Sequence, residues 1–253
     1  MVLVGKAPIV LLFVAAPVLT IGCGGGDGGQ IDPAEPEAAA AVSAVRERPI
    51  LEFPPGGTPT VTVKRGKSLA LYDEPGGKVL ERVRDETEWG SPTVFAVSRK
   101  RDGWAGVPTA HFENGRLAWV RLDPRRVRAG QVHTAIEIDL SEFRTTFLYK
   151  GKPVSTFEVS VGMPEAPTPT GDFAVTDTFR GDLNPAYGCC AVALTARQTR
   201  LPSGWLGGDR IAIHGTTGPL GAEISHGCVR ALDPNVNELV EKVPPGTPVT
   251  IRN

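Results

Sequence analysis

Apolar and polar residues alternate in short segments along the chain from Val61 onward. Thr134-Ala135-Ile136-Glu137-Ile138-Asp139-Leu140 alternates throughout, which turns Ile136 and Ile138 to one face and Glu137 and Asp139 to the other, as in a half-buried strand. Thr145 to Tyr149 and Ser155 to Val161 follow at hairpin distance, and Arg210-Ile211-Ala212-Ile213 delivers His214 at a strand end. Upstream, Ser68 to Tyr72, Thr93 to Val97 and Leu117 to Val120 read as strands, with turns at Pro75-Gly76-Gly77 and Asn114-Gly115. One helix is marked. Asp233 serves as N-cap and Pro234 takes the first position; Val236, Leu239, Val240 and Val243 then recur at i, i+3, i+4 and i+7, and Pro244-Pro245-Gly246 stops it. The pattern predicts a mainly β protein whose helix lies against a sheet.

Composition divides the chain further. Lys6 precedes an apolar run from Ala7 to Ile21, about the length of a signal-peptide core and short of the ~20 residues that a membrane span needs, so export is expected. Leu19-Thr20-Ile21-Gly22-Cys23 resembles a bacterial lipobox, with Thr20 where leucine is usual. Lipidation of Cys23 is the expectation and a cleaved peptide without lipid the alternative. From Cys23 to about Ile50, glycines give way to an Ala, Pro and Glu mixture that cannot bury a core and reads as a flexible tether. The remaining residues suit two domains, 51–128 and 129–253. In the first, Trp104 and Trp119, each followed closely by valine, resemble the pattern of bacterial SH3-like modules and imply a small β-barrel in which tryptophans serve the core more often than a ligand. The net charge of -1 argues against a nucleic-acid partner. The local run Arg121, Arg125, Arg126 and Arg128 reads as a solvated interdomain edge or as a contact for polymer carboxylates.

The chemistry gathers in two short segments. Ile213-His214-Gly215 and Ser225-His226-Gly227-Cys228-Val229-Arg230 bring a thiol and two imidazoles together. A thiol near its free pKa of about 8.5 is mostly unreactive at neutral pH, so a catalytic cysteine needs a neighbouring imidazole or helix N-terminus. Gly227 lets the backbone approach a ligand closely, so that the Gly227 and Cys228 amides can point at one acyl oxygen. Of the other cysteines, Cys189 and Cys190 are adjacent; a disulfide between them closes a strained, readily reduced ring, and free thiols, a redox brake and packing near the cleft all stay open. His111 and His133 stand alone, without the spacing of a zinc site.

These segments, taken with Thr168-Pro169-Thr170-Gly171-Asp172-Phe173, Asn184-Pro185, Tyr187-Gly188 and Pro245-Gly246-Thr247-Pro248-Val249, resemble the signature of the L,D-transpeptidases of bacterial cell walls, the YkuD type, from about His133 to Ile251. The resemblance implies a C-terminal β-sandwich with Cys228 as nucleophile, His214 as general base and the Gly215 carbonyl orienting that imidazole. It places His226, Gly227 and the Cys228 amide on the oxyanion side, with Ser225 and Tyr187 among the substrate-binding residues. Arg230 either holds a substrate carboxylate or packs structurally against the following helix. The implied donor is a peptidoglycan stem tetrapeptide, attacked at its third residue to give a thioester and then a 3→3 cross-link. Water or a protein lysine as acceptor are the alternatives within enzymes, and a non-catalytic wall-binding lipoprotein the alternative outside them. The resemblance calls for no metal or organic cofactor and implies acylation by carbapenems, while the apolar N-terminal run and the lipobox-like Cys23 place the protein in the cell envelope, lipid-anchored on the outer side of a bacterial membrane.

Overall fold

A computed structural model describes residues 51–205 and 207–253; the signal segment, Cys23 and the tether lie outside the described residues. The short alternating runs become short strands. The first eight are β1 (Thr58–Val63), β2 (Ser68–Tyr72), β3 (Val79–Arg84), β4 (Val94–Ala96), β5 (Arg99–Arg101), β6 (Trp104–Pro108), β7 (Leu117–Arg121) and β8 (Val127–Val132). They pair as a three-stranded sheet, β4-β1-β8, and a five-stranded sheet, β3-β2-β7-β6-β5. Between them Val61, Leu71, Ala105, Val107, Ala118 and Val120 are fully buried, because each strand turns every second residue inward. Trp104 and Trp119 are half-buried, and the Trp104 ring meets Tyr72 edge to face at 4.9 Å.

The second half continues with β9 (Thr134–Asp139), β10 (Arg144–Tyr149), β11 (Lys152–Glu158), β12 (Val161–Gly162), β13 (Gly171–Arg180), β14 (Cys190–Arg197), β15 (Arg210–Thr216), β16 (Glu223–Ser225), β17 (Val229–Leu232) and β18 (Pro248–Arg252). Eight of these form one sheet in the order β11-β10-β9-β18-β13-β14-β15-β17, and β12 pairs with β16. Ile136, Ile138, Phe147, Val192, Leu194, Ile211 and Ile213 make its core. The result is the expected mainly β architecture, with one α-helix among the described residues.

That helix, α1 (Asp233–Lys242), packs on β14 and β15 and buries Val236 and Leu239, with Val243 closing the stripe just beyond its end. Asp233 departs from its expected place. It is the first helical residue rather than the cap, and its carboxylate accepts from the Cys189 amide at 3.2 Å instead of from the helix's own first turn. A tertiary neighbour just before β14 has claimed the carboxylate.

Two features of this topology position chemistry. β15 and β17 run parallel, with Ile213 opposite Val229 and His214 opposite Arg230, so the strand that carries His214 and the strand that follows Cys228 are nearest neighbours. The two halves of the described chain are also joined directly. Thr87 donates to Asp177 at 2.5 Å, Arg210 pairs with Glu88 at 2.9 Å, and Asn114 bonds the backbone of Arg197.

Candidate active site

His214 comes to its place because four residues of an apolar strand precede it. It sits late in β15, 3 % exposed, and its Nδ1 lies 2.9 Å from the Gly215 carbonyl. A carbonyl only accepts, so the neutral ring carries its proton on Nδ1 and leaves the Nε2 lone pair for a donor. Tyr187 packs edge to face on this ring at 4.9 Å from the 3-10 turn Pro185–Tyr187, which Asn184 caps by accepting from the Ala186 amide. Burial lowers the His214 pKa, the Gly215 bond opposes that, and the nearby Arg230 charge adds to the lowering. The group is therefore held as a neutral imidazole, the form that can take a proton.

Cys228 is the free cysteine among the described residues and stands directly before β17. Its Sγ lies 3.9 Å from the Arg210 carbonyl. Burial pushes the thiol up from its ordinary value, against smaller lowering from the Ala212 backbone and Arg230. In the free protein, burial thus disfavours both the Cys228 thiolate and the His214 imidazolium.

The loop before Cys228 is held by its own side chains and by two neighbours. Ser225, 1 % exposed, donates to the Cys228 carbonyl at 2.6 Å and accepts from the Gly227 amide at 3.1 Å. The Gly227 amide is occupied by Ser225, so of the two amides expected at the acyl oxygen, only that of Cys228 is without an acceptor among the described residues. Thr168, from the Thr-Pro-Thr motif, donates to the Gly227 carbonyl at 2.9 Å. Gly227 has φ +112°, and a Cβ there would collide with Gln198 Nε2, so glycine is required both for conformation and for space.

His214, Cys228, Ser225, His226, Arg230 and Tyr187 all line one cavity of about 340 Å³. His226 lies against the half-exposed Trp205, ring centroids 4.8 Å apart, rather than in a polar cage. Arg230 Nε is buried without a hydrogen-bond partner among the described residues. Gly215 contributes its carbonyl, and a Cβ on it would strike Asp233. Cys189 and Cys190 are joined as a disulfide at the start of β14, next to Asp233. Sequence reasoning missed Gln198 and Trp205; Gln198 stands in no periodic or glycine-flanked context, whereas the glycines Gly204, Gly207 and Gly208 around Trp205 are a signal that could have found it. A second cavity of about 440 Å³, lined by Arg82, Glu88, His111 and Arg210 among others, contains no thiol.

The model of the L,D-transpeptidase catalytic domain, YkuD, matches residues 133–251. A Bacillus subtilis (strain 168) protein described as an L,D-transpeptidase, YkuD, is 30% identical over 121 residues, which are 47% of this chain and 65% of that protein, so the chain spans somewhat under two thirds of the relative's length. Among solved structures, L,D-transpeptidase 3 from Mycobacterium tuberculosis with a faropenem-derived adduct has TM-score 0.41 and 18% identity, covering 54% of this chain and 73% of its own. The L,D-transpeptidase LdtMt1 in complex with imipenem has TM-score 0.40 and 18% identity, covering 63% and 89%. The family model and the Bacillus relative point the same way: residues 133–251 are similar to the L,D-transpeptidase catalytic domain of the YkuD type.

Proposed function

We propose that the protein is an exported peptidoglycan L,D-transpeptidase that works through a Cys228 thioester with His214 as general base. The observation that carries this is the pairing, around one cavity, of a free thiol with a buried imidazole whose Nδ1 is bound and whose Nε2 is open. Cys228 Sγ bonds to the carbonyl carbon of the third residue of a stem tetrapeptide while its proton passes to His214 Nε2. The C–N bond then breaks, D-alanine leaves with that proton, and the acyl group stays on sulfur as a thioester. The amine of a neighbouring stem attacks next, gives its proton to His214 and forms the 3→3 amide; the released sulfur takes the proton back. The Cys228 amide stabilises the oxyanion in both halves, and one such donor is worth about 10²- to 10³-fold in kcat.

The Arg230 guanidinium, with its buried and unpartnered Nε, supports a role in holding a stem carboxylate. The two N-terminal sheets are read as an SH3-like wall-binding module, and the segment before residue 50 as a cleaved signal, a lipidated Cys23 and a tether that keeps the enzyme near its polymer. Carbapenems should acylate Cys228, as the adduct and complex of the two structural neighbours suggest for this chemistry. Incubation with a disaccharide tetrapeptide and separation of the products tests the reaction. A 3→3 dimer with free D-alanine is expected; tripeptide alone would make the protein an L,D-carboxypeptidase, and unchanged substrate would reject the enzyme.

A further inference from the structure

Gln198 holds the nucleophile loop together with Ser225. It is 6 % exposed and follows directly on β14. Its Nε2 donates to the His226 carbonyl at 3.1 Å and to the Pro167 carbonyl at 3.0 Å, and its Oε1 accepts from the Arg200 amide at 2.9 Å. His226 precedes Gly227, and Pro167 precedes Thr168, which itself binds the Gly227 carbonyl. One amide group thus ties together the two segments that shape the approach to Cys228. With both its hydrogens and its oxygen engaged, the Gln198 side chain has a single orientation.

What fixes Gln198 comes from the other half of the molecule. Arg197, the last residue of β14, donates its amide to Asn114 Oδ1 at 2.9 Å, and its carbonyl accepts from Asn114 Nδ2 at 2.6 Å. Asn114 reads both backbone groups of one residue, as a strand partner would. The Arg197 guanidinium donates to the Ala110 carbonyl at 2.9 Å and pairs with Asp209, whose own carbonyl accepts from the Gln198 amide at 2.6 Å. Ala110 and Asn114 both lie in the connection between β6 and β7 of the N-terminal half.

We propose that Gln198 is a positioning residue for the Cys228 loop and that the N-terminal module completes the site by fixing Gln198 through Asn114. The proposal rests on Cys228 being the nucleophile. It differs from a wall-binding role for the module, because it makes the module a part of the chemistry even on small soluble substrates. It also differs from a merely stabilising interface, because the alignment of Cys228 then depends on Asn114, which lies outside the cavity that Gln198 helps to line.

The test uses the full chain with Gln198→Glu, Asn114→Ala and the double variant, and Glu113→Gln, an exposed neighbour, as control. Glutamate keeps the shape of Gln198 but, ionised, has no hydrogen to donate to the His226 and Pro167 carbonyls. Readouts are the rate of Cys228 alkylation by iodoacetamide against pH, the acylation rate with a carbapenem, and the thermal unfolding midpoint. Gln198→Glu should slow acylation about tenfold or more through misalignment, with KM changed less than kcat and the alkylation midpoint displaced. Asn114→Ala should move the same quantities in the same direction by a smaller factor. The double variant should be no slower than Gln198→Glu alone, because both act through one element. Asn114→Ala with a lower unfolding midpoint but wild-type alkylation and acylation, or effects that simply multiply in the double variant, would overturn the proposal. A wild-type protein that iodoacetamide alkylates at Cys228 but no carbapenem acylates would instead count against the proposed function, and the alkylation comparison would still decide the positioning role.

Discussion

His214 lies on a buried strand, its ring bonded by the Gly215 carbonyl on one edge and covered by Tyr187 on a face, whereas His226 lies on the loop before the nucleophile with its ring against an exposed tryptophan. Each imidazole lines the same cavity, and in sequence His226 is far nearer to Cys228. The difference lies in what holds the ring. A general base must present one defined nitrogen at a fixed place, and a strand with a bonded Nδ1 supplies both. A residue held by its backbone carbonyl, as His226 is by Gln198, shapes the loop instead. On the proposed mechanism, proximity in sequence to Cys228 is a poorer guide to the base than a place on the neighbouring strand.

Substitutions test that contrast from the largest effect downward. Cys228→Ala should abolish transfer from a tetrapeptide donor while leaving the unfolding midpoint nearly unchanged; substantial turnover would remove the nucleophile on which the comparison stands. His214→Gln should lower kcat by about 10²- to 10⁴-fold, the usual worth of a positioned base, and His226→Gln by clearly less. Steady-state kinetics giving the reverse order would transfer the base to the loop. Ser225→Ala leaves the Gly227 amide without its acceptor and should cost about 1–3 kcal/mol of stability, read by urea unfolding, together with slower acylation. An unchanged protein would mean that the loop is held by Gln198 and Thr168 alone.

The smallest effect is on pH dependence. Burial lowers the His214 pKa in the folded chain below its ordinary 6.5, so between the two values the unfolded state binds more protons than the folded one. Stability from this residue is present above pH 6.5 and is lost as the pH falls through that value, with no further loss below the folded pKa. Urea unfolding at pH 7.5 and 5.5 should show a larger acid loss for wild type than for His214→Gln. Equal losses would mean that the ring is not held neutral by burial.

Much of this was legible in the chain. The alternation of Thr134 to Leu140 and the apolar run before His214 became strands where they were expected, because a strand's period of two needs no knowledge of its partners. The helix stripe Val236, Leu239, Val243 also appeared in place. The hydrogen-bond partners were not legible. Asp233 has the residue type of a cap, yet Cys189, far away in sequence, takes its carboxylate. Gly227 has the look of an oxyanion donor, yet a serine two residues earlier occupies its amide. Asn114 reads as a turn residue, and it does sit in a turn, but its side chain closes a contact 83 residues away. Such pairings depend on which donors and acceptors the fold leaves facing one another, and no local pattern encodes that.

The central claim, a Cys228 nucleophile served by His214 on its neighbouring strand, is tested most directly by intact-protein mass spectrometry after brief exposure to a carbapenem, with peptide mapping of the adduct. Wild type should gain one drug mass on the peptide that carries Cys228, His226→Gln should gain it at a rate close to wild type, and His214→Gln far more slowly. No adduct on wild type, an adduct on any other residue, or a His226→Gln variant slower than His214→Gln would contradict the account.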